Sequence, residues 1–558
     1  MSPRRLSKPG LETVLALLAT AFSAVLLVLT AMYAGPLWRD ELNTLDVAQM
    51  PSLPDLWRNM SFESFPPLWP LLLRGCSFLG LAGSDANIRI LGLYVGFLFL
   101  GSLWLSARWL GCRAPIVSLA LLGSLPAFIF IVGANRAYGL ASCLLVLSFG
   151  LVWRMVQAPT RARVLLAGIT CFLFAHCVYY DVFFLAAILA GGALVTLRRR
   201  QWKTLTALAV IGFISAASML IYLPVIRRGS AYVPMMQWPL FKFSNLWHGF
   251  GAAVTAQSSA SLARIGPEIR VWIALLLGGA VVALLLQRKR APQTPDPVAA
   301  AGTRVPNRAD LALFCGVSML LGVAGLFAFL FRLHYWPESW YFIVMLCLCA
   351  ISLDGLLGAN WPALRPWGQL RIGFMLMVII WNSESAWAEA HTRRSNVDLI
   401  AGVLQKNAVE GDLIVVPVWE GITFNRYYHG PAHWVTVPPI DSHLVHRNDL
   451  VFQKMNQVEP MAPVLCDITN TLSQGQNVWL LGNMWPGRPQ TPPPGQPWVG
   501  TYIIYWTTQV SAVLLDHARR EQVLEIPVGG PVCCLENLPL IRFAGYNPGT
   551  NQPAAATR

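Results

Sequence analysis

Apolar residues fill the first two thirds of the chain in blocks of about 20, the length that crosses a bilayer as a helix, and short basic stretches separate the blocks. The first block, 11–34, follows Arg4, Arg5 and Lys8. Its apolar run is longer than the core of a secretory signal, and Tyr33-Ala34-Gly35-Pro36 makes a poor cleavage site. It is therefore read as a retained helix with its N-terminus in the cytoplasm. Further spans are predicted near 90–110, 115–133, 138–157, 164–180, 182–197, 204–226, 269–287, 311–333, 340–358 and 371–387, about eleven in all. The closely spaced pair around Asp181 and the final span carry the weakest patterns.

Basic residues recur on one side of this alternation. Arg108 and Arg113, Arg154, Arg161 and Arg163, Arg198–Arg200 and Lys203, Arg288–Arg290, Arg304 and Arg308, and Arg365 and Arg371 all fall on the side of the N-terminus. The positive-inside rule makes that side cytoplasmic, and an odd number of spans places the C-terminal tail outside. Two outer segments, 35–89 and 227–268, are too long to be turns. Their aromatic stretches 66–81 and 238–250 are too short or too polar to span, and read as helices lying at the outer interface. Segment 288–310 is basic and rich in Pro and Ala, as a flexible inner loop is.

From about residue 388 the pattern changes. The runs 412–418 (DLIVVPV) and 478–481 (VWLL) have the length and composition of buried strands. Segments 396–405 and 510–517 read as helices, and 487–498 as a Pro-rich loop. Strands alternating with helices predict a small α/β domain. The expected organisation is a membrane domain over 1–387 and an outer α/β domain over 388–558. No glycine-rich phosphate loop opens a helix, so nucleotide binding has no support.

Composition agrees with the pattern. Hydrophobic residues make up 55% and charged residues 12% of the 558 positions, about half the charge of a soluble chain. The 22 Trp suit long membrane–water boundaries. The net charge of +14 is uneven: residues 1–387 hold 30 Lys+Arg against 14 Asp+Glu, and 388–558 hold 11 against 13. The basic excess sits in short clusters between spans, which argues against nucleic-acid binding. Of the 11 Cys, eight lie in or beside apolar spans as small packing residues. Cys466, Cys533 and Cys534 lie in the tail, where a disulfide from Cys466 to one of the pair and three reduced thiols are both open.

Five polar stretches fall on the outer side. Trp38-Arg39-Asp40-Glu41-Leu42 follows the first helix and sets two adjacent carboxylates beside a bilayer, a costly choice unless they are solvated or used. A general base is one reading, and a helix cap is the other. Glu63 precedes Ser64-Phe65-Pro66-Pro67-Leu68-Trp69, a rigid turn ahead of an interface helix. Arg136, in Asn135-Arg136-Ala137-Tyr138, sits among apolar helices and requires an anion, either a protein carboxylate or a ligand phosphate. His176, Tyr179, Tyr180 and Asp181 end the fifth span. Arg332, His334, Tyr335, Glu338 and Tyr341 join the ninth span to the tenth. Singly each reads as an interfacial anchor, and their shared side favours a site.

The order of these features resembles the GT-C membrane glycosyltransferases, in particular the bacterial family 39/83 group, which includes protein O-mannosyltransferases and lipid A aminoarabinose transferases. The resemblance covers about residues 10–390. It implies a polyprenyl-phosphate sugar donor entering from the outer leaflet, a periplasmic acceptor, a place in the bacterial inner membrane, and direct, inverting transfer. By resemblance Asp40 is the catalytic carboxylate and Glu41 shares its motif. Arg136 neutralises the donor phosphate, and Tyr138, Glu63, Tyr180, Asp181, Arg332, His334, Tyr335 and Tyr341 line the substrate site. Two positions depart from the group. Ala134 stands where relatives carry a carboxylate, and Phe65 where they carry a His before Pro-Pro. Both remove polar groups and weaken the case for a divalent metal, for which Asp40, Glu41 and Glu63 are the oxygen ligands at hand. No other cofactor is implied. The alternative, a lipid or glycan transporter, calls for internal repeats or ionisable, broken helices at mid-membrane, and the sequence has neither.

Overall fold

The computed structural model describes residues 10–255, 267–288, 308–358, 365–485, 487–488, 490–492 and 498–548. Most of the 288–310 loop and much of the Pro-rich 487–498 loop therefore lie outside the described residues. The chain forms two compact units. One comprises Met1–Tyr33, Ser64–Leu223 and Phe241–His391; the other comprises Ala34–Glu63, Pro224–Leu240 and Thr392–Arg558.

The first unit is helical. Among the described residues, eight helices are long and apolar enough to cross a membrane: Leu11–Tyr33, Asp85–Leu110, Ala137–Gln157, Asp181–Arg198, Trp202–Ser230, Glu268–Leu285, Arg308–Leu333 and Ser339–Gly358. Ser339–Gly358 and Ala137–Gln157 are 89% and 78% buried, whereas Trp202–Ser230 and Glu268–Leu285 are each 22% buried, so the former pair makes the centre and the latter the rim. The other three expected spans take different forms. Segment 115–133 divides into Ile116–Leu122 and Pro126–Val132, because Pro126 has no N–H to continue a helix and instead starts the second one. Segment 164–180 is the 15-residue helix Arg161–Ala175. Segment 371–387 lies within the 26-residue helix Arg365–Ala390, whose second half carries Asn382, Ser383, Glu384 and Glu389. The two stretches expected at the interface form the helices Leu68–Phe78 and Phe243–Thr255.

Charged residues lace one end of this bundle. Arg199 pairs with Asp310 at 2.7 Å, and Arg371 pairs with Glu12 at 2.6 Å. Asp354 accepts the backbone N–H groups of Val117 and Ser118, both at 3.0 Å, which satisfies the start of Ile116–Leu122. The helices alternate in direction, so Arg136, Asp181 and Tyr341 lie at the opposite end.

The second unit is built on a five-stranded mixed sheet, order β2-β1-β3-β5-β4. β1 (Leu413–Pro417), β2 (His433–Val437) and β3 (Val478–Leu481) are parallel; β4 (Ala518–Leu524) and β5 (Leu540–Tyr546) complete it antiparallel. Strand periodicity divides the core. Leu413, Val415, Val478, Leu480, Ile541 and Phe543 pack on one face, and Ile414, Val416, Trp479, Leu481 and Leu540 on the other. Burial on both faces explains why β1 and β3 read as continuous apolar runs. β4 is an edge with Arg519, Arg520 and Glu521 exposed, which discourages pairing with another chain. Residues 34–63 and 224–240 join this unit rather than the membrane spans they border, because Val47, Met50, Leu56, Met60, Val225 and Val445 share one apolar cluster and Met235 enters the sheet's core.

Candidate active site

The residues singled out from the sequence fall into two groups, one in each unit. In the second unit, Asp40, Glu41 and Glu63 gather around the helix Arg39–Ala48. Its apolar positions Leu42, Leu45 and Val47 are fully buried. Asp40 and Glu41 occupy its first turn, where the positive end of the helix dipole favours carboxylates.

The two neighbours then part ways. Glu41 is completely buried; it accepts the Trp38 N–H at 3.3 Å and lies 3.8 Å from the guanidinium of Arg394, which is 1% exposed. Asp40 remains 21% exposed, with Oδ1 3.3 Å from His446 Nε2 and 3.8 Å from Arg39 Nε. Arg39 also donates to Glu420 Oε1 at 2.9 Å, and its backbone N–H donates to Glu536 Oε1 at 2.9 Å. Burial pushes the Glu420 carboxyl above its ordinary value while Arg39 pulls it back. Burial raises Glu536 to about 7, with Arg39 opposing and Glu420 adding to the rise. Asp40 is therefore the accessible carboxylate of a cluster whose other acids are sealed, and the geometry equips it to accept a proton.

Glu63 is a strut. Its Oε2 accepts from Thr44 Oγ1 at 2.7 Å and from Asn43 Nδ2 at 3.1 Å, while Asn43 Oδ1 accepts the His446 N–H at 2.8 Å. The strap Glu63–Asn43–His446 fixes the loop that carries the imidazole against Asp40. Beside His446 lies a shallow recess, with room for about one water molecule, bordered by Trp419, Ile422, Ile440, His443 and Arg447. Burial depresses His443 to about 4, so it is neutral at pH 7.

A metal fits this donor set poorly. Asp40, Glu41 and Glu63 turn to different partners, and among the described residues no group of three or more His, Cys, Asp or Glu side chains gathers to hold an ion.

In the first unit, Arg136 precedes the helix Ala137–Gln157 and is only 6% exposed. Its guanidinium lies 4.3 Å from the centre of the Phe65 ring, which meets Tyr138 edge-on at 5.0 Å. The Tyr180 side chain is a neighbour of Tyr138, and its ring stands edge-on to Tyr341 at 6.4 Å. Phe65, Arg136, Tyr138, Tyr180 and Tyr341 thus form one run of contacts: a buried cation with aromatic walls. Phe65 contributes the face on which the guanidinium rests.

Asp181 is not Arg136's counter-ion. Its Oδ2 accepts the Val178 N–H at 3.1 Å, and its Oδ1 has no hydrogen-bond partner. Arg332 and His334 are exposed, and His334 packs on Phe241 and Phe331 rather than on the tyrosines. Tyr335 is half-buried beyond the end of Arg308–Leu333. His176 is held between Tyr222 and Ser218. Since the Ser218 hydroxyl donates to Ser215 O at 2.8 Å, His176 donates through Nε2 and accepts at Nδ1, the pattern of a satisfied neutral imidazole. The sequence reading missed His446, Glu420, Glu536 and Arg394. His446-Arg447 lies in a polar loop after β2 and carries no local pattern that marks it.

No protein-family model matches the chain, and no curated protein matches it in sequence. Among solved structures it is similar to ArnT from Cupriavidus metallidurans in the apo state, at 15% identity and a TM-score of 0.40, over 85% of this chain and 93% of that one. It is similar to the Archaeoglobus fulgidus oligosaccharyltransferase in complex with Zn and sulfate, at 12% identity and a TM-score of 0.47, over 83% of this chain and 67% of that one. A third is the arabinofuranosyltransferase AftD from Mycobacteria, at 16% identity and a TM-score of 0.41, over 95% of this chain and 40% of that one.

Proposed function

We propose that the chain is an integral membrane glycosyltransferase of the GT-C type, moving a sugar from a polyprenyl-phosphate carrier to an acceptor at the periplasmic face of the bacterial inner membrane. The observation that carries the reading is the setting of Asp40: the accessible carboxylate of an otherwise buried acid–base cluster, on a helix start, held between Arg39 and His446. The order of sequence features that marks the GT-C resemblance supports it as well.

In this reading Asp40 takes the proton of an acceptor hydroxyl or amine as that atom attacks the sugar's anomeric carbon. The bond from this carbon to the phosphate oxygen breaks, and the lipid phosphate leaves with its added negative charge. Arg136 supplies the positive charge that the leaving phosphate needs, and a guanidinium binds such a group bidentately. One displacement inverts the anomeric centre. Tyr138, Tyr180 and Tyr341 wall the donor's place, Glu41 and Glu63 hold the helix that presents Asp40, and no step runs through a metal. The basic helix ends are cytoplasmic and residues 392–558 periplasmic.

The test is a mass-spectrometric comparison of envelope lipids and glycans in the native cell with and without the protein. One sugar modification should vanish, and return with the wild-type chain but not with Asp40→Asn. Unchanged envelopes, or full rescue by Asp40→Asn, would refute the reading.

A further inference from the structure

The connection between β4 and β5 carries two adjacent cysteines on a turn that also holds the Asp40 motif. Cys533 N–H donates to Arg393 O at 2.8 Å, and Glu536 N–H closes the turn onto Cys533 O at 3.3 Å. The turn's end is then fixed twice: Asn396 N–H donates to Glu536 O at 3.1 Å, and the Glu536 carboxylate accepts the Arg39 N–H at 2.9 Å and the Thr423 hydroxyl at 3.3 Å. Cys534 is exposed at the corner, Cys533 is half-buried, and both are thiols.

We propose that Cys533 and Cys534 form a redox site, a dithiol that a small disulfide such as oxidised glutathione converts to a vicinal disulfide, loosening the hold of Glu536 on the Arg39 backbone. The Cys534 thiolate attacks one glutathione sulfur; that S–S bond breaks, and one glutathione leaves as its thiol. The Cys533 sulfur then attacks Cys534, the mixed disulfide breaks, and the second glutathione leaves with the Cys533 proton. The protein loses two hydrogens and two electrons in all, and the oxidant becomes two thiols.

Three features favour this site. The two thiols are neighbours on one turn, with Cys534 exposed and Cys533 half-buried. The neighbouring Cys533 thiol lowers the Cys534 thiol to about 6, against the opposing effect of burial, which favours Cys534 as the attacking sulfur. The strain of the product supplies the coupling: adjacent Cα atoms stand about 3.8 Å apart, whereas a disulfide prefers about 4.4–6.8 Å. The ring closes only if the 533–534 peptide twists, and the turn from Cys533 to Glu536 cannot keep its geometry when it does. A strained, exposed disulfide is also readily reduced, as a reversible switch requires.

The test uses the full chain in detergent micelles, treated with oxidised glutathione and then with dithiothreitol. Peptide mass spectrometry should find the 533–534 peptide short of two hydrogens and free of glutathione, with reversal on reduction. Hydrogen exchange at the Arg39 amide should quicken about tenfold on oxidation, the loss of one hydrogen bond. Cys533→Ser should stop at a glutathione adduct on Cys534, and Cys534→Ser should block the disulfide. A wild-type chain that keeps the adduct, that does not react, or that forms the disulfide with Arg39 exchange unchanged would overturn the proposal.

Discussion

Asp40 and His446 stand 406 positions apart in the chain, yet Asp40 Oδ1 lies 3.3 Å from His446 Nε2. The contact depends on two further bonds, His446 N–H to Asn43 and Asn43 to Glu63. The tail thus helps to build the surroundings of a residue that precedes every predicted span but the first.

Replacement of Asp40 by Asn keeps its size and removes the base. Transfer should fall about 10²-fold or more, with normal membrane insertion and a normal melting temperature. A turnover assay beside a thermal melt checks both, and near-normal turnover returns Asp40 to a helix-start role.

Glu41→Gln should behave in the opposite way. It strips the counter-ion from the buried Arg394, at a cost of about 3 kcal/mol in stability. Turnover per folded molecule should change little. A large loss of rate with an unchanged melt would put Glu41 in the chemistry instead.

These two residues mark what the sequence made legible. The doublet invited both a base and a cap, and the structure assigns the backbone-capping contact to Glu41 while leaving Asp40 partly exposed. The α/β tail was readable from 412–418 and 478–481 because parallel central strands are apolar on both faces. The edge strand β4, ARREQVL, was not, since its charges face solvent and mask the period. The break at Pro126 was overridden by the apolar run around it. His446, Glu420 and Glu536 had no local signal, because their meaning comes from partners hundreds of positions away. The departure at Phe65 looked like a lost polar group, and only the fold reveals it as the surface under Arg136.

Arg136 separates binding from scaffolding. Arg136→Ala should abolish donor use while the melting temperature changes little, and Arg136→Lys should keep some donor binding but lose much of the rate, because an ammonium is a point charge without the planar fork. A destabilised Arg136→Ala chain with normal turnover per folded molecule would assign it to helix packing.

Glu536 gives a pH signature. Its carboxyl is raised in the folded state to about 7 from an ordinary 4.5, so the fold holds the proton more tightly than the unfolded chain does. Stability from this group is complete below about pH 4.5 and is lost as pH rises toward 7, on the order of 3 kcal/mol. Asp46, raised to about 7 by burial, acts in the same sense, while His443, depressed to about 4, acts in the opposite one. Both cancel in a comparison with Glu536→Gln. The wild type should lose melting temperature relative to this variant between about pH 5 and 7; a constant difference would mean that the carboxyl is not held protonated.

The most direct measurement of the central claim is donor turnover by the purified chain. Lipid carriers bearing radiolabelled sugars on polyprenyl phosphate are incubated with the protein and an envelope-lipid extract, and labelled product and freed polyprenyl phosphate are counted. The account predicts equal amounts of the two from the wild type, and neither above background from Asp40→Asn or Arg136→Ala. Wild-type protein that releases no polyprenyl phosphate from any such carrier, or an Asp40→Asn chain that releases it at the wild-type rate, would contradict the account.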